Sequence, residues 1–243
     1  MKFLTPLLLI ALLIVQPIHA QDAMSTDRPD FTESPLTVGQ GTIQVEAGLT
    51  HQSAGDTSLL TTGEGLVRYG LRSKFELRLG LPSFVSSDAI DNGLTDVSVG
   101  FKWNLANLDS GVNAGLVTGL TLPTGDLGAD DPNPTIILVA GMPVNDRLSV
   151  ASQVGSTVFK LADEWKSMWF ATVVLSAPIN DQLGAFVELK GENLPETEDN
   201  RFIVHTGLVY PVSDNLQIDL HLGTGLNDFS GDEFIGFGVA FRR

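Results

Sequence analysis

Cysteine is absent from the 243 residues. That excludes a disulfide framework, thiolate zinc and iron–sulfur sites, and a cysteine nucleophile. Basic residues are scarce, with 14 Lys and Arg against 29 Asp and Glu, for a formal net charge of −15. Phosphate backbones are bound by an excess of Lys and Arg, so nucleic acid is excluded as a partner. Long apolar runs are missing beyond residue 20. No stretch reaches the ~18 consecutive apolar residues of a spanning helix, so a place in a membrane has to be taken by strands. The apolar share is nonetheless 43%, too high for a chain that stays unfolded.

The first 20 residues read as a cleaved secretory signal peptide. Lys2 supplies the positive start, Phe3 to Val15 is apolar apart from Thr5 and Pro6, and Ile18-His19-Ala20 resembles a cleavage site. The remaining organisation is a polar N-terminal segment over 21–41, followed by one β domain over 42–243.

That domain is built on a period of two. Ile43, Val45, Ala47 and Leu49 alternate with Thr42, Gln44, Glu46 and Gly48. The same alternation holds for Phe75 to Leu81, Val97 to Trp103, Leu183 to Leu189 and Leu216 to Leu222. Successive side chains of a strand point to opposite faces, so each segment has one apolar and one polar face. The apolar faces carry no charge, while Glu46, Glu76, Arg78, Lys102, Glu188, Lys190, Asp219 and His221 all fall on the polar ones. Lipid outside and water inside produce that segregation.

Twelve strands are expected between residues 42 and 241. Short connections at 71–73, 105–111, 143–146, 178–181 and 211–214 alternate with long ones at 52–58, 83–93, 123–133, 158–167, 192–200 and 225–232. The expected fold is an all-β transmembrane antiparallel up-and-down barrel, with short periplasmic turns and long external loops. Pro143-Val144-Asn145-Asp146 recurs as Pro178-Ile179-Asn180-Asp181 and as Pro211-Val212-Ser213-Asp214. Pro cannot donate to a ladder and Asn and Asp suit turns, so the repeat marks strand-ending corners of a meander. Tyr69, Phe75, Trp103, Tyr210 and Phe241 fall near the periplasmic strand ends, and Phe159, Trp169, Phe202 and Phe234 near the external ends. Two aromatic belts are the mark of a barrel in a bilayer.

Three stretches carry a family likeness. They are Ser25-Thr26-Asp27-Arg28-Pro29-Asp30-Phe31-Thr32-Glu33-Ser34-Pro35, then Asp91-x-Gly93-x-x-Asp96-x-x-x-Gly100-x-Lys102, and Leu120-Thr121-Leu122-Pro123-Thr124-Gly125-Asp126. Together they resemble the family of outer-membrane transporters assigned to the meta-pathway of phenol degradation. The resemblance covers nearly all of the mature chain. It implies an outer-membrane barrel admitting small hydrophobic or aromatic compounds. Outer-membrane lipid and the barrel-assembly machinery are then the expected partners, although Arg242 and Arg243 follow Phe241 where insertion signals end on an aromatic.

The site residues expected from this pattern fall into two groups. Asp27, Arg28, Asp30 and Glu33 form a candidate plug that folds into the periplasmic mouth and pairs with lumen charges. Glu46, Glu64, Arg68, Glu76, Arg78, Lys102, Glu188, Lys190, His205, Asp219 and His221 are the candidate lumen lining. A three-residue turn at 71–73 pairs Tyr69 with Phe75 outside and Arg68 with Glu76 inside, as a cross-strand ion pair. His205 lies opposite Asp219 or His221, a set able to line a wet lumen, sense pH or hold a metal. No serine is fixed beside a histidine by a nucleophile-elbow motif, so no catalytic residue, metal or cofactor is assigned. The external connections are acidic, with only Lys160 and Lys166 as counter-charges. They form either a solvated surface or a funnel that repels anions.

The expected function is passive passage of small solutes through the outer membrane of a diderm bacterium. The alternatives are a closed barrel with a structural or surface-binding role, and a soluble periplasmic β-domain.

Overall fold

The computed structural model describes residues 24–243 apart from 229, 231 and 232. The signal-peptide reading of residues 1–20 lies outside the described residues. Among the described residues there are fourteen strands: β1 (Ile43–Ala54), β2 (Thr57–Arg72), β3 (Phe75–Gly80), β4 (Phe84–Ser87), β5 (Gly93–Leu94), β6 (Val97–Asn107), β7 (Asn113–Leu122), β8 (Asn133–Asn145), β9 (Leu148–Leu161), β10 (Glu164–Asn180), β11 (Leu183–Leu194), β12 (Asp199–Ser213), β13 (Leu216–Gly225) and β14 (Glu233–Arg242). No helix among the described residues is long and apolar enough to cross a membrane.

Twelve of the strands close into an antiparallel barrel. Each pairs with its neighbour in sequence order, and β1 pairs with both β2 and β14, which leaves the wall without an open edge. β4 and β5 are extra pieces that carry the wall upward, β4 on the first half of β2 and β5 on β4. Pro82 explains the break between β3 and β4, because it has no N–H for the ladder.

The alternation of the sequence becomes the two faces of this wall. Leu49, Leu77, Leu79, Val99, Leu138, Val187, Leu189, Leu220 and Leu222 point outward and stay exposed. Gln44, Glu46, Arg68, Glu76, Lys102, Glu188, His205 and Asp219 point inward and are buried. An apolar outer band around a polar interior is the architecture of a membrane-spanning barrel. Tyr69, Trp103, Tyr210 and Phe241 stand exposed toward the end where β1 begins and β14 finishes, and Trp165, Trp169 and Phe202 toward the other. Phe234 departs from the expected belt. It faces inward, its ring 5.2 Å from His205 and 6.0 Å from Phe31.

The strands run further than the alternation indicates. The stretches 52–58 and 158–167 are mostly ladder, closed by two-residue turns at 55–56 and 162–163, and 192–200 narrows to a four-residue connection at 195–198. Beyond the apolar band both faces meet water, so the ladder continues while the hydrophobic signal fades.

Register at the short turns also differs from expectation, and always for the same reason. A β-bulge interrupts the ladder just before the turn in all five hairpins, between Gly70 and Arg72, Asn104 and Ala106, Pro143 and Asn145, Pro178 and Asn180, and Pro211 and Ser213. A bulge adds one unpaired residue, so a short turn still keeps each face on its own side. In the second hairpin Tyr69 is therefore opposite Leu77, and Arg68 opposite Arg78 rather than Glu76. In the β12–β13 hairpin His205 is opposite Gly223, and neither Asp219 nor His221. The repeated corners are turns closed by a side chain: Asn145, Asn180 and Ser213 accept from the N–H two residues on.

Candidate functional site

Residues 24–41 turn inward and cross the bore. The two arms of this segment are tied together by Ser25 to Ser34 at 2.6 Å and by the Ser34 N–H donating to Asp27 at 2.9 Å. Its return arm leaves along β2, where the Gly41 N–H donates to the Gly70 carbonyl at 2.7 Å. A side chain on Gly70 would collide with the Gly39 carbonyl, so only glycine permits that approach.

One arc of the wall holds the segment by charge. Asp27 receives Lys102 Nζ at 2.6 Å, Arg78 Nη1 at 2.5 Å and Arg68 Nη1 at 3.3 Å. Glu33 receives Arg78 at 3.0 Å and Lys102 at 3.2 Å. The wall charges are themselves crosslinked, with Arg68 donating to Glu76 at 2.8 Å and to Glu46 at 2.9 Å. The Arg68–Glu76 pair is thus made, but on the diagonal. Burial opposes ionisation of Asp27, yet the cations of Arg68, Lys102 and Arg78 hold its carboxyl well below the usual range. Glu46 also accepts the backbone N–H groups of Asp27 and Arg28.

Arg28 reaches a second arc. Its guanidinium donates to Glu64 at 3.1 Å and to Asp219 at 3.4 Å. It lies on Gly48 and Gly238, where a Cβ on either would occupy the guanidinium's place. Glu64 has a positive φ of 22° beside Gly63 at 103°, an unusual backbone for a strand that accompanies the irregular β1–β2 pairing between Glu46 and Gly48.

The third arc binds the tip of the segment. The Phe31 N–H donates to Glu188 at 2.8 Å, and Thr32 Oγ1 lies 2.5 Å from both Glu188 and Thr172. Gln153 accepts from the Glu33 N–H at 2.8 Å and donates to the Phe31 carbonyl at 2.6 Å. Behind Glu188 stands a histidine pair, with His205 Nδ1 3.0 Å from Glu188 and His205 Nε2 3.0 Å from His221 Nδ1. The rings of Phe31, Phe186 and Phe234 surround His205 at 4.7, 5.0 and 5.2 Å. Lys190 sits 4.7 Å above the Phe31 ring and 2.8 Å from Glu192. Among the described residues, no group of three or more His, Asp and Glu is arranged to hold a metal ion.

All eleven expected lumen residues therefore face the bore, and ten of them bond to the segment or to each other; Lys190 instead meets Phe31 and Glu192. Asp27, Arg28 and Glu33 engage wall charges, whereas Asp30 forms no ion pair among the described residues. Gln153, Thr172 and Thr32 also join the wall to the segment, and being uncharged they carry no signal of that role in the pattern of charges. Val154, exposed on the outer face beside it, is the signal that places Gln153 inward. Glu192, expected within the 192–200 connection, lies in β11, buried and paired with Lys190 and Arg201.

The barrel has counterparts among solved structures. An outer-membrane channel from Pseudomonas putida F1 superposes with a TM-score of 0.66 at 13% identity, over 86% of this chain and 97% of that one. The NanC porin has a TM-score of 0.57 at 10% identity, and the KdgM porin 0.57 at 14%, each over 82% of this chain and 98% of its own. These likenesses establish a shared fold. No curated protein sequence matches the chain. The family described as "Putative MetA-pathway of phenol degradation" matches residues 26–242, from the segment in the bore to the last strand. The chain belongs to that family.

Proposed function

We propose that this protein is an outer-membrane channel for passive passage of small solutes, with residues 24–41 acting as a plug that narrows the bore. The observation that carries the reading is the segment itself, which spans the lumen between Asp27 on the β3–β6 arc and Thr32 on the β10–β11 arc. Barrels of intermediate strand number lie between side-chain-filled and open ones, so what occupies the bore decides what passes.

The solutes proposed are small and apolar or aromatic. Supporting this are the family description and inward apolar surface. Val117, Ile137 and Val139 form a buried cluster with Phe170 packed on it. Phe31, Phe186 and Phe234 form a second group around His205. In a polar lumen, such surface gives an apolar solute a place to leave water.

The test is planar-bilayer conductance of the mature barrel beside a variant lacking residues 22–36. Stepwise currents are expected from the first and larger ones from the second, with liposome swelling ranking the solutes. A folded, heat-modifiable barrel that stays silent in both forms overturns the channel reading. The closed alternative, a barrel with a structural or surface-binding role, is the reading left if both forms stay silent.

A further inference from the structure

The three carboxylates of the plug are not equivalent. Asp27 and Glu33 are neutralised by Arg68, Arg78 and Lys102. Asp30 forms no ion pair among the described residues. It borders instead a cavity of about 450 Å³ between the plug and the arc formed by β8 to β11. The walls there are small or apolar, including Pro143, Ser149, Ser176, Pro178 and Phe186.

The other charges on this cavity cancel. Arg28 is engaged by Glu64 and Asp219. Asp146 and Arg147 are exposed neighbours of opposite sign on the β8–β9 turn. What remains is the Asp30 carboxylate, one residue from Phe31, whose N–H is bound to Glu188. Burial pushes the Asp30 carboxyl up, and Glu188 pushes it further in the same direction. That shift keeps the carboxyl uncharged to higher pH; once ionised, with no cation paired to it among the described residues, it gains from a cation brought beside it and repels an anion. At the opposite end of the barrel, the acidic connections, with only Lys160 and Lys166 among them, carry the same sign.

We propose that Asp30 is the selectivity residue of the periplasmic mouth, rejecting anions so that the solutes passing the plug are neutral or cationic. This rests on the channel reading above and refines its solute class. Anionic relatives of an aromatic solute are turned away, while the uncharged or cationic form enters the cavity beside Phe186.

Single-channel reversal potentials in a KCl gradient at pH 8 test it. The wild-type barrel is expected to prefer potassium over chloride. Asp30→Asn is expected to lower the permeability ratio severalfold, and Asp30→Lys to bring it below unity. Asp214→Asn, on the exposed β12–β13 turn, is expected to leave it unchanged. A ratio untouched by Asp30→Asn, or a wild-type preference for chloride, overturns the assignment. If Asp30→Lys does not fold, the Asp30→Asn result alone decides. Silence of the wild-type barrel overturns the channel reading instead, so the two failures are distinguishable.

Discussion

Lys102 on β6 donates to Asp27 in the plug at 2.6 Å, joining two residues 75 positions apart in sequence. The Lys102 side chain is fully buried and the Asp27 side chain is 5% exposed. A buried pair stripped of one partner leaves an uncompensated charge, which costs roughly 3–5 kcal/mol. The plug is therefore held by an interaction that resists partial loosening.

Asp27→Ala is expected to free the plug, because Arg68, Arg78 and Lys102 then repel one another in the bore. Larger and noisier single-channel currents, with an intact heat-modifiable barrel, are the expected result. Currents equal to wild type would show that Glu33 suffices. Because the Asp27 carboxyl is held below its ordinary range, its contribution is fully present above about pH 4 and is lost only as pH falls through the lower folded value. Conductance should accordingly stay at its plugged level down to pH 4 and rise below it.

Gly48→Ala separates the latch from the wall. The three atoms nearest an added Cβ all belong to the guanidinium of Arg28, a flexible group that can swing away. The barrel is expected to fold normally while Arg28 loses Glu64 and Asp219. Limited proteolysis of the plug in the purified barrel should be faster than in wild type. Equal cleavage rates would mean that the Arg28 pairs contribute nothing to retention.

Asp96 organises the external rim. Its carboxylate accepts from the N–H groups of Thr124, Gly125 and Ala129 at 2.8, 2.9 and 3.0 Å. Desolvation opposes ionisation, but these three donors hold the carboxyl below its ordinary range. The loop is thus expected to stay docked above about pH 4 and to release as pH falls further. Asp96→Ala should release it at neutral pH, seen as new protease cleavage within 123–132 on intact cells. Protection equal to wild type would show that the Leu94 N–H to Asp126 contact at 3.2 Å is enough.

The outer band makes a simpler demand. Leu79 is 39% exposed on the outer face, between Val67 and Val99 on its neighbouring strands. Leu79→Arg places a charge against lipid at a cost of about 2–4 kcal/mol near the bilayer midplane. Lower yield of folded barrel in the outer-membrane fraction is expected, with a milder loss for Leu79→Thr. Equal yields for both would argue against a lipid-facing position.

Much of this architecture is legible one strand at a time. Residues 74 to 82 alternate so cleanly that inward Glu76 and Arg78 separate from outward Leu77 and Leu79 without any knowledge of neighbours. Where alternation weakens, legibility stops. The residues around His51 and Trp165 belong to ladders, but they stand beyond the apolar band, where no difference between the faces is imposed. Register fails for another reason. A bulge such as that between Pro211 and Ser213 shifts His205 from Asp219 or His221 to Gly223, and one added residue leaves no trace in the pattern of polarity.

The amino-acid sequence by itself determines which side chains of this protein meet water and which meet lipid. That property depends only on period two and on the chemistry of each residue. Partners depend on where the wall closes. Asp27 meets Lys102, Arg28 meets Asp219 191 positions away, and Asp30 has no ion-pair partner among the described residues, because the curved wall brings distant strands around one short segment. Charge pairing inside a closed bore is decided by that closure.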